Sequence, residues 1–406
     1  MTQISLRFKP ISIKIHRDME EGQLRLKFRE IFQSSPEILS SAPGRINIIG
    51  EHTDYNHGYV LPAAIHRCIR FLAGRRADDQ VRIWTANFGE KSSFSLKKMS
   101  LPKEHHWNAY IKGVYWVLSQ YGYSPGGIDC LIWGNIPTGS GLSSSAALEV
   151  SVVNGLDHLF SLGIMPLEKA KIAQKAENDF VGIKCGLMDQ FISIFGEEER
   201  AIFLDCQTFE FEKIPIELKK KNLEFLVYDS CVKRELSLTE YNTRRLEATA
   251  AERFLRRSGL PGYRGVSLDE LSTLKDKMEK ILYKRAWHVI SENERVHEAR
   301  EALKKHDFSA LGQLLFQSHI SLRDDYEVSC SELDLLYEFG QEFSGCLGAR
   351  LTGAGFGGSG IALIKSGETD RFTREILDLA QKKGYRKPKV FSVKIDKGAR
   401  HRFYDR

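Results

Sequence analysis

The stretch GRINIIGEHTDYNHGY, Gly44 to Tyr59, places Arg45, Asn47, Glu51, His52, Asp54, Tyr55 and Asn56 within twelve positions. An isoleucine-rich run, Ile46 to Ile49, sits among them and ends at Gly50. A solvated turn uses one or two such side chains. Here a whole set of donors and acceptors gathers just after a strand that reads as buried, a composition suited to hydrogen-bonding a polar ligand.

A second chemistry is written in GNIPTGSGLSSSAALEV, Gly134 to Val150. A strand-like run ends at Ile136, Pro137 stops the ladder, and Gly139 and Gly141 permit positive φ and a close backbone approach. Ser143, Ser144 and Ser145 then lead into a helix. Strand, glycine loop and helix N-terminus together make a cradle for phosphate, because unpaired N–H groups and the positive end of the helix dipole face the ligand. Serine hydroxyls there can cap the helix, bind a phosphate oxygen or ligate Mg²⁺. The common P-loop is excluded, since no lysine lies between Gly134 and Val150. A protein kinase is excluded as well. HRD occurs at His16–Asp18, but no DFG follows.

Two further segments carry candidate groups. In CGLMDQFISIFG, Asp189 interrupts an apolar run. Aspartate is rarely buried without a partner, so it is either the N-cap of a helix FISIF or a carboxylate paired with a cation and poised to take a proton. Arg45 is the candidate cation. Glu177, in KAENDF at an expected helix end, is a surface charge or a metal-binding carboxylate. LTGAGFGGSGIALI, Leu351 to Ile364, holds five glycines between Gly353 and Gly360. It reads as a tight connection or as backbone that closes on a ligand.

These groups need a scaffold. Strands are expected at 45–50, 80–88, 127–137, 358–364 and 390–395, bounded by Gly, Pro and Asn. Helices are expected at 107–122 and 144–160. In the latter, Ala147, Val150, Val153 and Leu156 recur at three-residue steps. Charge-rich helices are expected at 239–257, 267–282 and 283–305. The order is α+β twice over, with a boundary near residue 205 giving segments 1–205 and 206–406. At 406 residues, two domains or one bilobed domain are expected. The net charge of +6 is mild, and the densest basic cluster, Lys219–Lys221, reads as a solvated face, so no nucleic-acid partner is expected. Seven cysteines with no C-x-x-C pair argue against a disulfide framework and a structural zinc site, and for a reducing compartment. No signal-peptide core and no run of about 18 apolar residues occurs. A cytoplasmic protein without a membrane partner is the expectation.

In this order, PTGSGLSSSAA and LTGAGFGG resemble the ATP loop and the C-terminal glycine motif of the GHMP small-molecule kinase family. Within it, GRINIIGEHTDYNHGYVLP is similar to the galactokinase signature. AYIKGV, AENDFVGIKCGLMDQF, EYNTRR, HVISENERV and SLRDDYEVSCSELD match that branch too. The likeness runs from Ser41 to about Ile395. It implies a two-lobed α+β GHMP kinase fold with mixed sheets and an active site in the cleft between lobes. It also implies ATP-dependent phosphorylation of α-D-galactose at the C1 hydroxyl, the first committed step of galactose catabolism, with ATP and Mg²⁺ as cofactors and a monomeric enzyme.

Carried over residue by residue, the resemblance implies that Glu51, His52, Thr53 and Asp54 line the sugar site, closed by Gly186 and Tyr241. Asp189 and Arg45 would flank the C1 hydroxyl as base and cation. Pro137, Gly139, Ser140, Gly141, Leu142, Ser143, Ser144 and Ser145 would wrap the nucleotide phosphates, Ser145 and Glu177 would hold Mg²⁺, and Trp107 would lie near adenine. Many relatives carry asparagine at Asp229 and Cys231, histidine at Arg234, and cysteine at Ser359. Two other readings compete: a kinase for N-acetylgalactosamine, arabinose or galacturonate, and a non-catalytic galactose sensor. The HTDY form of the signature favours galactose. The intact serine loop with Asp189 and Arg45 favours catalysis.

Overall fold

The computed structural model describes residues 19–100, 107–232 and 237–405. A six-stranded sheet in the order β13-β1-β3-β6-β4-β5 anchors the first half. Its strands are β1 (Ile38–Asn47), β3 (Pro62–Arg75), β4 (Gln80–Thr85), β5 (Glu90–Ser95), β6 (Ile128–Gly134) and β13 (Arg400–Phe403). β4 runs parallel to β6, and the other pairings are antiparallel. A four-stranded sheet in the order β10-β11-β9-β12 anchors the second half: β9 (Leu223–Asp229), β10 (Cys346–Thr352), β11 (Ser359–Lys365) and β12 (Lys389–Val393). β2 (Tyr59–Val60), β7 (Arg200–Asp205) and β8 (Phe211–Pro215) form a small third sheet.

The helices are α1 (Glu21–Phe32), α2 (Asn108–Gln120), α3 (Ser144–Phe160), α4 (Pro166–Lys175) and α5 (Met188–Phe195) in the first half. α6 (Ser237–Arg257), α7 (Leu268–Ser272), α8 (Lys280–Lys304), α9 (Phe308–Asp324), α10 (Ser331–Glu342) and α11 (Thr369–Lys382) follow. The alternation of strand side chains sorts the first sheet into two faces. Phe71, Ala73 and Val81 meet the apolar sides of α2 and α3, while Leu72, Leu131 and Trp133 point the other way, onto Leu24 and Phe28 of α1. The expected division near residue 205 falls at the end of β7. Residues on both sides of it share one apolar cluster, with Ile46, Ile48 and Leu61 against Phe225, Val227, Ile361 and Val393. β13 carries the end of the chain back to β1.

Three expectations are corrected. The strand expected at 45–50 is longer and ends earlier: β1 starts at Ile38 and stops at Asn47, after which Ile48 and Ile49 pair with Leu61 outside the ladder. Asp189 is not an N-cap, because α5 begins at Met188 with Leu187 in the cap position. The segment 267–282 is not one helix. α7 starts on a Ser267–Glu270 capping box and ends at Ser272. There the hydroxyls of Ser272 and Thr273 take the carbonyls of Leu268 and Glu270. Such local side-chain bonds offer the backbone an alternative to continuing the helix.

Candidate active site

The centre of the site is Asp189. It stands in the first turn of α5, where the helix dipole favours negative charge. Arg45 Nε and Nη2 donate to its two oxygens at 2.8 and 3.0 Å, a bidentate pair. Arg45 is 4 % exposed, whereas the Asp189 side chain keeps 26 % of its surface. The third Arg45 nitrogen donates to the Gly141 carbonyl at 2.7 Å. The β1–β3 ladder shifts register between Pro43 and Arg45, just before this contact. At Gly44 a Cβ would lie 2.5 Å from the Leu142 carbonyl, so only glycine lets β1 press against the loop there.

The glycine-serine loop has the backbone its sequence promises. Gly139 and Gly141 take φ of +77° and +78°, and Ser143 takes +61°. Ser140 folds back on the Pro137 carbonyl. Ser143 stands at the N-cap of α3 but does not cap it with its side chain. Its Oγ donates to Asp189 Oδ2 at 2.5 Å instead. The second glycine loop closes on the first, since a Cβ on Gly353 (φ +85°) would sit 2.9 Å from the Gly141 carbonyl and 3.6 Å from Arg45 Nη2. Both glycine loops therefore meet at Arg45. Trp107 lies at the start of α2, where its indole N–H donates to Glu90 of the edge strand β5.

The side chains of the polar stretch after β1 are held by a dense set of hydrogen bonds. Glu51 is 1 % exposed, and burial raises its carboxyl pKa against the opposing pull of Arg350. It accepts from Gly353 N–H and Asn47 Nδ2 at 2.8 Å each and from Arg350 Nη1 at 2.5 Å. Thr53 donates within its own turn, toward the Gly50 and Tyr59 carbonyls. Burial pushes His52 down to about 3, so the ring is neutral. Its Nε2 faces the Ala354 carbonyl at 3.2 Å and must carry the hydrogen. Nδ1 therefore accepts from the Tyr55 hydroxyl at 2.7 Å. Tyr55 in turn meets Tyr326 at 2.9 Å. Asp54 lies against Gly186. It is half-buried, and a Cβ on Gly186 would fall 1.9 Å from its Oδ2, so the glycine makes room for it. Burial, with Asp189 adding repulsion, pushes Asp54 up to about 7. The Tyr241 ring on α6 closes this side, 5.7 Å from His52 and 5.6 Å from Tyr55.

After α4 the chain widens into a π-helical turn, Ala176–Val181, ended by Gly182 at φ +93°. Such turns are frequent at functional sites. This one buries Glu177 and brings it against Ser145, Cys185 and Gln190, all of which donate hydrogen bonds to it. Burial nevertheless pushes Glu177 up to about 7. A buried carboxylate beside a hydroxyl is a hard oxygen donor set of the kind Mg²⁺ takes, with phosphate oxygens and water completing the shell. No cluster of three or more His, Cys, Asp or Glu able to hold a metal alone occurs among the described residues.

Asp229 ends β9, opposite Ser359 and Lys389, and accepts from the Cys231 N–H at 3.0 Å. Arg234 lies outside the described residues. Gln190, Glu149, Arg350 and Tyr326 are neighbours of the site that sequence reasoning missed. Only Gln190, a polar residue in the apolar run after Asp189, left a local signal. No helix among the described residues is long and apolar enough to cross a membrane.

Comparison with known proteins agrees over most of the chain. Residues 26–75 match the galactokinase galactose-binding signature, 109–197 the N-terminal domain of GHMP kinases, and 299–384 their C-terminal domain. A galactokinase of Thermococcus kodakarensis is 44% identical over 357 residues, 88% of this chain and 98% of the relative. One from Clostridium tetani is 39% identical over 95% of this chain and 99% of its own. The crystal structure of Lactococcus lactis galactokinase complexed with galactose superposes with a TM-score of 0.89 at 38% identity, covering 93% of this chain and 99% of that one. A mevalonate kinase at 19% identity and TM-score 0.61 shares the fold.

Proposed function

The chain belongs to the galactokinase family, and from that footing we propose that it transfers the γ-phosphoryl group of ATP to the C1 hydroxyl of α-D-galactose, giving ADP and α-D-galactose 1-phosphate. The observation that carries this reading is the position of Asp189. It is held by Arg45, accepts from Ser143 of the phosphate loop, and lies close enough to Asp54 to repel its charge. A sugar hydroxyl seated there has a proton acceptor on one side and a phosphate cradle on the other.

In this mechanism Asp189 takes the proton of the C1 hydroxyl as O1 attacks the γ-phosphorus and the bond from that phosphorus to the β–γ bridging oxygen breaks, releasing ADP. Arg45 orients the Asp189 carboxylate through its bidentate pair and offsets charge on the transferring group. The N-terminus of α3 and the N–H groups around Gly139 and Gly141 receive the phosphates. Asp54 accepts from sugar hydroxyls. Glu51, His52 and Thr53 hold the loop that presents it, and Tyr241 covers the ring. Ser145 and Glu177 are the residues that would hold Mg²⁺, which neutralises nucleotide phosphate charge when bound. Most of the rate enhancement then comes from positioning and fixed electrostatics. An ADP-release assay over galactose, N-acetylgalactosamine, arabinose, galacturonate and glucose tests the reading. Turnover confined to galactose is expected, and a higher kcat/KM for another sugar would overturn it.

A further inference from the structure

Gln190 follows Asp189 on α5, is fully buried, and has no place in the chemistry above. Its side-chain N–H donates to Glu177 Oε2 at 2.8 Å. The same amide nitrogen lies 3.5 Å from Oε2 of Glu149, a fully buried acid of α3 one helical turn beyond Ser145. Glu149 Oε1 and Gln190 Oε1 have no hydrogen-bond partner. Two buried carboxyl groups from different elements thus converge on one neutral amide. That amide sits on the helix that carries the base.

We propose that Gln190 is a positioning residue for the metal site: its buried amide fixes the Glu177 carboxylate against Ser145 and ties it, through the first turn of α5, to Asp189. This rests on the reading of Glu177 as a metal ligand. A metal-ligating carboxylate must present one oxygen in a set direction. Partners behind such ligands are commonly worth 10- to 100-fold in metal affinity or activity. An amide suits this place better than a cation or an acid. A lysine or arginine would compete with the metal for Glu177, and a third carboxylate would add charge beside Glu149. Because Gln190 and Asp189 are adjacent on one rigid turn, any shift of the metal carboxylate is shared with the base. That couples the metal on the phosphates to the group that deprotonates the sugar.

The test is Mn²⁺ binding to the full-length protein with ADP, followed by the electron paramagnetic resonance signal of free Mn²⁺. Gln190→Met keeps length and volume without the amide. It is expected to raise the Mn²⁺ dissociation constant by about 10- to 100-fold. Its kcat should recover partly at high Mg²⁺, while the galactose dissociation constant without nucleotide stays within about twofold of wild type. Gln190→Leu serves if the methionine variant does not fold, as judged by its melting curve. Glu177→Ala is the control. If Glu177→Ala weakens Mn²⁺ binding and the Gln190 variant does not, Gln190 has no positioning role and the inference fails alone. If Glu177→Ala also binds Mn²⁺ as wild type does, the metal assignment is wrong.

Discussion

Arg45 and Asp189 lie 144 positions apart and meet in a two-pronged ion pair of 2.8 and 3.0 Å. One partner leaves a bulged strand, the other opens a short helix, and the glycine-serine loop is bonded to both, through Gly141 and Ser143. The pair is therefore a joint between three elements as well as the proposed base with its counter-ion.

Asp189→Asn keeps the size of the side chain and part of its hydrogen bonding, and removes the proton acceptor. Loss of a general base costs roughly 10²–10⁴ in rate, so kcat should fall by at least about a hundredfold while galactose still binds. Steady-state kinetics beside calorimetry checks this. Retention of more than about a tenth of wild-type kcat excludes Asp189 as the base.

Ser145→Ala removes a hydroxyl from the proposed metal site and leaves the proposed sugar contacts intact. The Mg²⁺ requirement and the KM for MgATP should rise, with the galactose constant little changed. A defect seen only in the galactose KM would contradict the placement of Ser145.

These positions differ in how far the sequence alone reveals them. The α3 helix and its loop were legible, because a three-residue apolar step and two glycines before a serine run are local signals. The strand expected at 80–88, found at Gln80–Thr85, and the helix expected at 107–122, found at Asn108–Gln120, were legible from local apolar patterning too, apart from their ends. Asp189 stood out as an acid in an apolar run, but its helix position did not, because Met188 and Leu187 carry no cap chemistry. The Glu51–Arg350 and Gln190–Glu177 contacts were invisible, since nothing near either partner marks a contact that only the tertiary fold creates. The short reach of α7 also escaped notice, because its hydroxyl–carbonyl bonds depend on side-chain rotamers.

Burial and the charge of Asp189 push Asp54 up to about 7. The folded protein without ligand therefore holds a proton on Asp54 more tightly than the unfolded chain, whose reference value is 3.8. Its contribution to stability is full below the unfolded pKa and is lost as pH rises through about 7. Galactose binding has the opposite sign if Asp54 accepts sugar hydroxyls as a carboxylate. Affinity measured without nucleotide should fall about tenfold between pH 8 and pH 6. Asp54→Asn should bind weakly and lose that dependence. Titration calorimetry at the two pH values decides it; a wild-type affinity that does not move with pH removes Asp54 from the sugar contacts.

The last prediction concerns what holds the sugar-facing loop. Arg350 is fully buried on β10 and points at the chain that leaves β1. Its Nη1 reaches the Asn47 and Ile48 carbonyls at 3.2 and 3.0 Å and Glu51 Oε2 at 2.5 Å. Glu51 answers by accepting the Gly353 N–H of the second glycine loop. Removing one member of a buried pair leaves an uncompensated charge, which costs about 3–5 kcal/mol, whereas replacing both by neutral groups of similar volume is often close to neutral. Arg350→Met should therefore lower stability by about that amount. Glu51→Gln together with Arg350→Met should regain a large part of the loss, since the glutamine still accepts from Gly353. Melting curves of the two single variants and the double variant measure the coupling. If the losses simply add, the two side chains do not act as a charge pair, and the loop is held by its backbone contacts to Thr352 and Leu61 instead.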